Sequence, residues 1–502
     1  MTPFEKHKSH PEAYTDASTE DLPLESPFPR RNQYRRLGWA AFILILNFFL
    51  VANFSETAPD SSVPSFYSRI STVESVCLGL NNRTVSHAGH IGLAGDSDES
   101  PKRSFFWYFE SENNAGDSPV ILTIGGGPGT SGMMNPLFGQ APCIATADGL
   151  APNPHRWTEH HNLIALDHPI GVGFSFGSRV NNSRAAAYDV YDFIQKLLIL
   201  FPHLSKNKFI ISGGSYGGVY VPNIATVIHE QNLRVRNGEG RPGSILINLE
   251  ALILSNPFSD PTAHFTWLLQ YRCIDHHVYN LTSCRSLYSE LPTCLESIDL
   301  AFELPTIENR VKSWELCDHL NSADTNGTVY EDIRRTCFPD DNAPEACHPQ
   351  FRWVESIFRD VLVKRALGVP PDLNYTALNM EVNAEFIAAG DTIQQHHLLY
   401  PPLLAAGIRL LHYVGAQDAN CAWPGVLSFL KLLRTPFQAD FLSAPDLPWP
   451  SKGIATVRSV GKGAGNMTYI LLAEAGHFTV KDQPALAKII VEKWVANQAF
   501  LT

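Results

Sequence analysis

Short apolar runs recur along the chain, with longer amphipathic stretches between them. Ser104–Phe109, Val120–Ile124, Leu163–Asp167, Phe209–Ser212, Ala251–Ser255, Arg409–Val414 and Met467–Ala473 are too short for typical helices, and several lack polar alternation. This pattern predicts strands, several of them buried on both faces. Helical periodicity appears at about 185–200, after Tyr216 and at about 484–498. Strands alternating with helices predict an α/β fold whose central sheet is mostly parallel, because a parallel crossover needs a connection long enough to carry a helix over one face. Between about 262 and 389 the alternation stops. That stretch is irregular in pattern and rich in cysteine, and it reads as a helical insertion, or lid, over one edge of the sheet. The aromatic run Phe105-Phe-Trp-Tyr-Phe109 carries no charge and is expected in the core.

The N-terminal part has a different pattern. Residues 1–37 are rich in Ser, Pro and charge and read as a disordered cytoplasmic tail. From Gly38 to Ala52 there is no charge and one polar side chain, Asn47, directly after Arg30, Arg31, Arg35 and Arg36. An apolar stretch over 38–54 behind a basic flank predicts a signal anchor, a single-pass membrane segment with its N-terminus in the cytoplasm. A cleaved signal peptide and a buried helix are the alternatives, the former weakened by the length of the leader. Residues 55–72 then read as a stalk and 73–502 as the folded domain. The anchored reading puts that domain on the lumenal or extracellular side of the secretory pathway, and the cleaved reading makes it secreted.

Composition narrows the partners. At 502 residues with 18% charged side chains, the chain can bury a large core and is not globally disordered. The formal charge is −12, to which residues 1–37 contribute nothing (6 − 6 = 0), so the acidity lies in the body. An acidic body repels phosphate backbones, which argues against a nucleic-acid partner. Sequons at Asn82, Asn181, Asn280, Asn326, Asn374 and Asn466, with another at Asn53, are each weak but agree with export and N-glycosylation. Of nine cysteines, six fall between Cys273 and Cys347, as a disulfide-stapled insertion in an oxidising compartment would have them. There is no close C-x-x-C pair. The neighbouring histidines at 160/161, 276/277 and 396/397 would face opposite sides of a strand. Neither a metal nor a cofactor is therefore expected.

The densest chemistry sits at Phe209-Ile-Ile-Ser-Gly213-Gly214-Ser215-Tyr216-Gly217-Gly218, an apolar strand running into G-x-S-x-G and then a helical pattern. A sharp strand-to-helix turn lifts a serine Oγ clear of the backbone, and glycines beside it remove Cβ atoms that would clash. An isolated G-x-S-x-G is as often an ordinary Gly/Ser loop; the strand and helix around this one favour a nucleophile. Two later strands end in suitable partners, Arg409–Val414 leading to Asp418 and Met467–Ala473 leading to Gly476-His477. Ser, acid and His in that chain order form a candidate catalytic triad, with His477 the base and Asp418 fixing its tautomer. Upstream, Gly125-Gly126-Gly127-Pro128-Gly129 follows the strand Val120–Ile124 with no G-K-[S/T] to suggest a phosphate loop. The backbone N–H groups of Gly127 and Tyr216 are candidates for an oxyanion hole.

With these residues in place, the chain from about Val73 onward resembles the serine carboxypeptidase family, whose fold is the α/β-hydrolase fold. Trp107-Tyr-Phe-Glu110 is similar to the family's early strand, and Gly126-Gly-Pro-Gly129 to its oxyanion loop G-G-P-G-C-S-S. Asp167-His-Pro-Ile-Gly-Val-Gly-Phe-Ser175 is similar to D-Q-P-x-G-x-G-F-S, and Ser255-Asn-Pro-Phe-Ser-Asp-Pro261 to G-N-G-x-x-D-P. Ser215-Tyr-Gly-Gly218 resembles the nucleophile motif of fungal members, Asp418 the second Asp of G-D-x-D, and Gly476-His477 the Gly-His pair. Cys421 falls where some fungal and yeast members keep a free thiol near the substrate, which accounts for the odd cysteine. The resemblance implies that substrate lies against Gly125, Gly126, Gly214 and Cys421. Members that cleave C-terminal residues bind the substrate carboxylate with an Asn, a Glu and a second Glu at positions occupied here by Gly125, Gly139 and Gly214. All three recognition side chains are missing. The cysteine of the oxyanion loop is Thr130 here, and a Cys77–Cys143 pair, on order alone, would replace its disulfide.

The resemblance implies a serine-type carboxypeptidase-family hydrolase that acts through an acyl-enzyme on a C-terminal peptide bond or related acyl substrate. Two alternatives stay open: an acyltransferase or esterase acting on a small-molecule product, and an inactive binding protein on the same fold.

Overall fold

The computed structural model describes residues 66–77, 84–338, 347–450 and 453–501. Twelve strands form one mixed sheet. They are β1 Ser68–Val73, β2 Ser86–Gly92, β3 Lys102–Phe109, β4 Val120–Ile124, β5 Asn162–Leu166, β6 Phe176–Gly177, β7 Phe209–Gly214, β8 Leu249–Ser255, β9 Arg409–Gly415, β10 Leu447–Trp449, β11 Ala455–Val460 and β12 Met467–Leu472. Their order is β1-β2-β3-β5-β4-β7-β8-β9-β12-β11-β10, with β6 beside β3. The central run β5-β4-β7-β8-β9-β12 is parallel throughout, and the flanking strands pair antiparallel. This is an α/β-hydrolase fold.

The parallel strands are six of the apolar runs, because only strands covered on both faces lose their polar alternation. Burial follows the two-residue period of a pleated strand. On β3, Phe105, Trp107 and Phe109 enter one core while Phe106 and Tyr108 enter the other. On β4, Val120, Leu122 and Ile124 oppose Ile121 in the same way. A helix over Ser183–Leu200 covers one face through Ala186, Val190, Phe193 and Leu197, spaced three or four apart. Asn182 caps it, its side chain accepting the Ala185 N–H at 2.9 Å.

The flanking strands β1, β2, β6, β10 and β11 were not visible as apolar runs. β2 reads Ser-His-Ala-Gly-His-Ile-Gly and is buried along most of its length, which its residue types alone do not announce. β1 begins inside the stretch read as a stalk and ends on the first residue of that read as the domain. The 262–389 stretch, irregular in pattern, contains regular helices at Pro261–Leu269, Leu281–Glu303, Ile307–Asp318, Pro349–Arg359, Val361–Ala366 and Met380–Ala388. Pro292 inside the second of these interrupts the helical signal in the sequence. Disulfides Cys273–Cys284, Cys294–Cys317 and Cys337–Cys347 staple the region, and Phe265, Leu268, Leu287, Ile298 and Leu320 give it a small core of its own. Cys77 pairs with Cys143, the pair expected on order alone.

The single-pass anchor, and the membrane localisation built on it, are corrected. Among the described residues no helix is long and apolar enough to cross a membrane, and the apolar stretch 38–54 lies outside them, as do the tail 1–37 and the sequons at Asn53 and Asn82. Of the remaining sequons, Asn181, Asn280, Asn326 and Asn374 are exposed and Asn466 is half-buried.

Candidate active site

Ser215 stands between β7 and a helix over Gly217–Arg236, at φ +56°. That left-handed backbone is unfavourable for a residue with a Cβ, so the surrounding structure has to impose it. The Ser215 N–H donates to the main-chain oxygens of Ser255 and Asn256 at 3.1 and 3.2 Å, and its carbonyl accepts from Gly218 and Phe258, each at 2.9 Å. The turn is thus held from both sides by backbone.

The loop 125–129 lies directly against it. A Cβ on Gly126 would stand 2.6 Å from the Gly214 oxygen and 2.9 Å from Ser215 Cβ, so only glycine allows this approach. Among the described residues no group accepts the N–H of Gly127 or of Tyr216. Tyr216 is fixed at its other end, where its buried hydroxyl donates to Asp391 Oδ2 at 2.8 Å. Asp391 in turn accepts from both the N–H and the hydroxyl of Ser183.

Asp418 is wholly buried just beyond β9. Its Oδ2 accepts from His477 Nδ1 at 2.7 Å and from Asn256 Nδ2 at 2.6 Å. Its Oδ1 accepts the N–H groups of Asn420 at 2.8 Å and Cys421 at 3.1 Å. With Nδ1–H given to Asp418, His477 keeps its lone pair on Nε2. The His477 N–H donates to the Glu331 carbonyl at 2.7 Å, which ties the histidine loop to the insertion. Burial opposes a charge on His477. The Asp418 carboxylate, its hydrogen bond, and the charges of Glu331 and Asp482 outweigh that burial and hold the imidazole above its ordinary pKa.

Ser215 and His477 line one cavity of roughly 310 Å³, together with Gly125, Gly126, Gly127 and Gly214. The structure therefore brings the sequence-derived residues to one place. Gly139 sits nearby on the turn Pro136–Gln140 at φ +140°, with Val480 Cγ1 3.0 Å from where its Cβ would be. At Gly125 a Cβ would lie 2.0 Å from the Thr130 oxygen, and at Gly214 2.7 Å from Ser255 Oγ.

Sequence reasoning missed Asn135, Gln140, Ser255, Glu331 and Tyr413 as cavity residues. It also gave Asn256 no role, although an Asn-Pro step after a strand marks a turn that can aim a side chain. No sequence signal marks Glu331, which reaches the cavity only through the folding of the insertion.

Cys421 is a free, buried thiol close to Asp418 and His477. Burial first, then the Asp418 charge, push its pKa well above the ordinary value. A protonated thiol beside a carboxylate already accepting four hydrogen bonds is a poor metal ligand set. Glu159, His160 and Glu492 also cluster, but the Lys488 ammonium contacts both carboxylates and supplies a cation already.

A family model described as serine carboxypeptidase matches residues 80–497. The chain is similar to Carboxypeptidase Y homolog A of Paracoccidioides brasiliensis (strain Pb03), 28% identical over 455 residues that cover 88% of this chain and 78% of that protein. It is likewise similar to Carboxypeptidase Y homolog A of Neurospora crassa, 29% identical over 447 residues covering 87% and 76%. Among solved structures it is similar to Kex1(delta)p, a prohormone-processing carboxypeptidase from Saccharomyces cerevisiae, with a TM-score of 0.71 at 22% identity, covering 85% of this chain and 96% of that one. At that identity the structural likeness speaks to the fold.

Proposed function

Because the chain belongs to the serine carboxypeptidase family, hydrolases that work through an acyl-enzyme, we propose that Ser215 is its nucleophile, His477 its base and then acid, and Asp418 the group that orients the imidazole. Ser215 Oγ attacks the acyl carbon as its proton passes to His477 Nε2. The N–H groups of Gly127 and Tyr216 receive the oxyanion. The bond to the leaving group breaks as His477 returns the proton to it. Water then repeats the sequence, with His477 taking one of its protons and handing it back to Ser215 as the acyl-enzyme opens to the acid.

The preferred substrate is an ester or amide acyl group whose leaving part needs no free α-carboxylate. The observation that carries this is the closed space at the three glycines. No side chain projects from Gly125, Gly139 or Gly214 to receive a carboxylate, and Thr130 and Ser255 occupy the room at the first and last. With no side-chain donor at those three positions, the hydrogen bonds that would offset desolvation of a carboxylate there are not made. The helical insertion serves as the lid of this site, supported by Glu331, Phe351, Leu378 and Asn383, which it contributes to the cavity wall.

The test uses the full-length chain with an N-blocked amino-acid ester and an N-blocked dipeptide bearing a free carboxylate. The expected result is faster turnover of the ester, relative to the ratio set by a nonenzymatic hydroxide control, and its loss in Ser215→Ala. Preference for the free acid would overturn the substrate reading, and Ser215→Ala with unchanged turnover would overturn the nucleophile.

A further inference from the structure

The 262–389 stretch does more than wall the cavity. Its segment 330–333 lies between the two loops that carry Asp418 and His477 and bonds to both through the main chain. The Tyr330 carbonyl accepts the Ala419 N–H at 2.7 Å, and the Ile333 N–H donates to the Gln417 carbonyl at 3.0 Å, on either side of Asp418. The Glu331 carbonyl accepts the His477 N–H at 2.7 Å. One strap thus closes on the acid loop and the histidine loop together. A Cβ on Gly476 would overlap the Glu331 carbonyl and stand 2.9 Å from Asp332 Cβ, so this approach requires the glycine before His477.

Side chains fasten the same seam through Arg334, on the short strand Asp332–Thr336. Its Nε and Nη2 donate to Asp332 Oδ1 and Oδ2 at 2.8 and 2.9 Å, a two-pronged pair on the strap itself. Across the seam, Nη1 donates to Glu474 Oε2 at 3.2 Å and Nη2 lies 3.7 Å from Asp482 Oδ2. That same Asp482 oxygen accepts the Gly476 N–H at 2.8 Å. Contacts therefore run from the strap through Arg334 and Asp482 to the residue before His477. The Asp332 and Asp482 side chains are only 10% and 14% exposed, whereas that of Glu474 is 65% exposed. An exposed pair contributes little, but two largely buried carboxylates on opposite sides of a seam need a cation between them. Lys481 stands 3.8 Å from Asp482, and among the described residues it has no ion pair with Asp332, so Arg334 is the cation that spans the seam.

We propose that Arg334 is a positioning residue of the reaction: it bridges Asp332 on the strap to Asp482 beyond the histidine loop and so holds His477 between Ser215 and Asp418. This rests on the acyl-enzyme reading above, in which His477 passes a proton in each half of the reaction. Arg334 is not among the residues that line the catalytic cavity. Its loss therefore acts on the rate of bound substrate and not on binding.

The experiment follows turnover of an N-blocked amino-acid ester by the full-length chain. Working sites are counted by labelling Ser215 to completion with a fluorophosphonate, so that kcat is expressed per labelled site. Arg334→Met, which keeps the apolar stem and removes the charge, should lower kcat about 10- to 100-fold with KM little changed, as a small misplacement of a catalytic group does. Arg334→Lys keeps a charge without the planar fork and should recover part of that loss. Asp482→Asn added to Arg334→Met keeps an acceptor for the Gly476 N–H, removes the unpaired charge and should also recover part of it. Unchanged kcat per site in Arg334→Met would overturn the proposal. So would fewer labelled sites that each turn over at the wild-type rate, the mark of a merely structural residue, or a rise in KM alone. A deeper loss of kcat on adding Asp482→Asn would sink the route through the histidine loop. If Arg334→Met yields no labelled protein, Arg334→Lys decides by itself: kcat per site below wild type at unchanged KM supports the proposal, and wild-type kcat ends it. Absence of labelling in the unaltered chain would instead overturn the acyl-enzyme reading, with no bearing on Arg334.

Discussion

Ser215 carries two opposed demands in one residue. Its φ of +56° suits glycine better than any residue with a Cβ. Ser215→Ala should therefore abolish turnover without much change in stability, while Ser215→Gly should abolish turnover and stabilise the fold by about 1 kcal/mol over Ala, read as a higher denaturation midpoint. Stability equal to or below that of Ala would show that the turn is unstrained. His477 is set by its neighbours. As a base it must be neutral, and its pKa is held above the ordinary 6.5, so kcat/KM should rise with pH along a limb centred above 6.5. A maximum below about pH 5 would contradict this. The linkage has a defined sign: a raised folded pKa contributes stability below the unfolded value, and that stability is lost as pH rises through the folded one. Asp418→Asn should lower kcat by roughly 10³–10⁴ and shift the limb toward acid.

Between elements, the site depends on loops at the ends of parallel strands, where such sheets present their functional groups. Asn256, just after β8, donates to Asp418 at 2.6 Å and accepts the Gly415 N–H at 3.0 Å, so it joins two strand ends. Asn256→Leu removes one of the four donors to Asp418 and leaves the Gly415 N–H without its acceptor, and kcat should fall about 10- to 100-fold with KM little changed. A KM effect alone would make Asn256 a binding residue instead. Gly214 shows how neighbouring strands exclude a side chain. Gly214→Glu should destabilise the protein by ~1–3 kcal/mol, because its Cβ meets Ser255 Oγ at 2.7 Å. Adding Ser255→Ala should return a large part of that loss, as contacting residues are expected to couple in a double-mutant cycle. Strict additivity in urea denaturation would show that the clash lies elsewhere.

At the scale of the molecule, nine cysteines and four disulfides leave one thiol, Cys421 (9 − 8 = 1). Thiol titration in denaturant without reductant should count one group. In the native protein, alkylation should be slow, since burial keeps the thiol protonated. Two or more thiols would break the disulfide assignment. Much of this was legible in sequence. The six parallel strands showed because strands covered on both faces must be apolar whatever their neighbours, and Ser215, Asp418 and His477 could be picked out as candidates because each follows such a strand in the chain order of the fold. The antiparallel flanks did not show, since β2 is buried by its partners rather than by its own hydrophobicity. Of 262–389 a helical, cysteine-rich insertion was legible but not its individual helices, since Pro292 interrupts the periodicity of one of them. The losses at Gly125, Gly139 and Gly214 could be read as absences, but sequence could not tell what fills the space. The chain by itself determined the order of strands and the residues at their ends, because local burial and turn chemistry are written residue by residue. Only the tertiary structure decided what closes the space there, the main-chain oxygen of Thr130 at Gly125, the Ser255 hydroxyl at Gly214 and the Glu331 carbonyl at the His477 N–H, because those contacts are made by loops and strand ends whose meeting depends on the whole sheet.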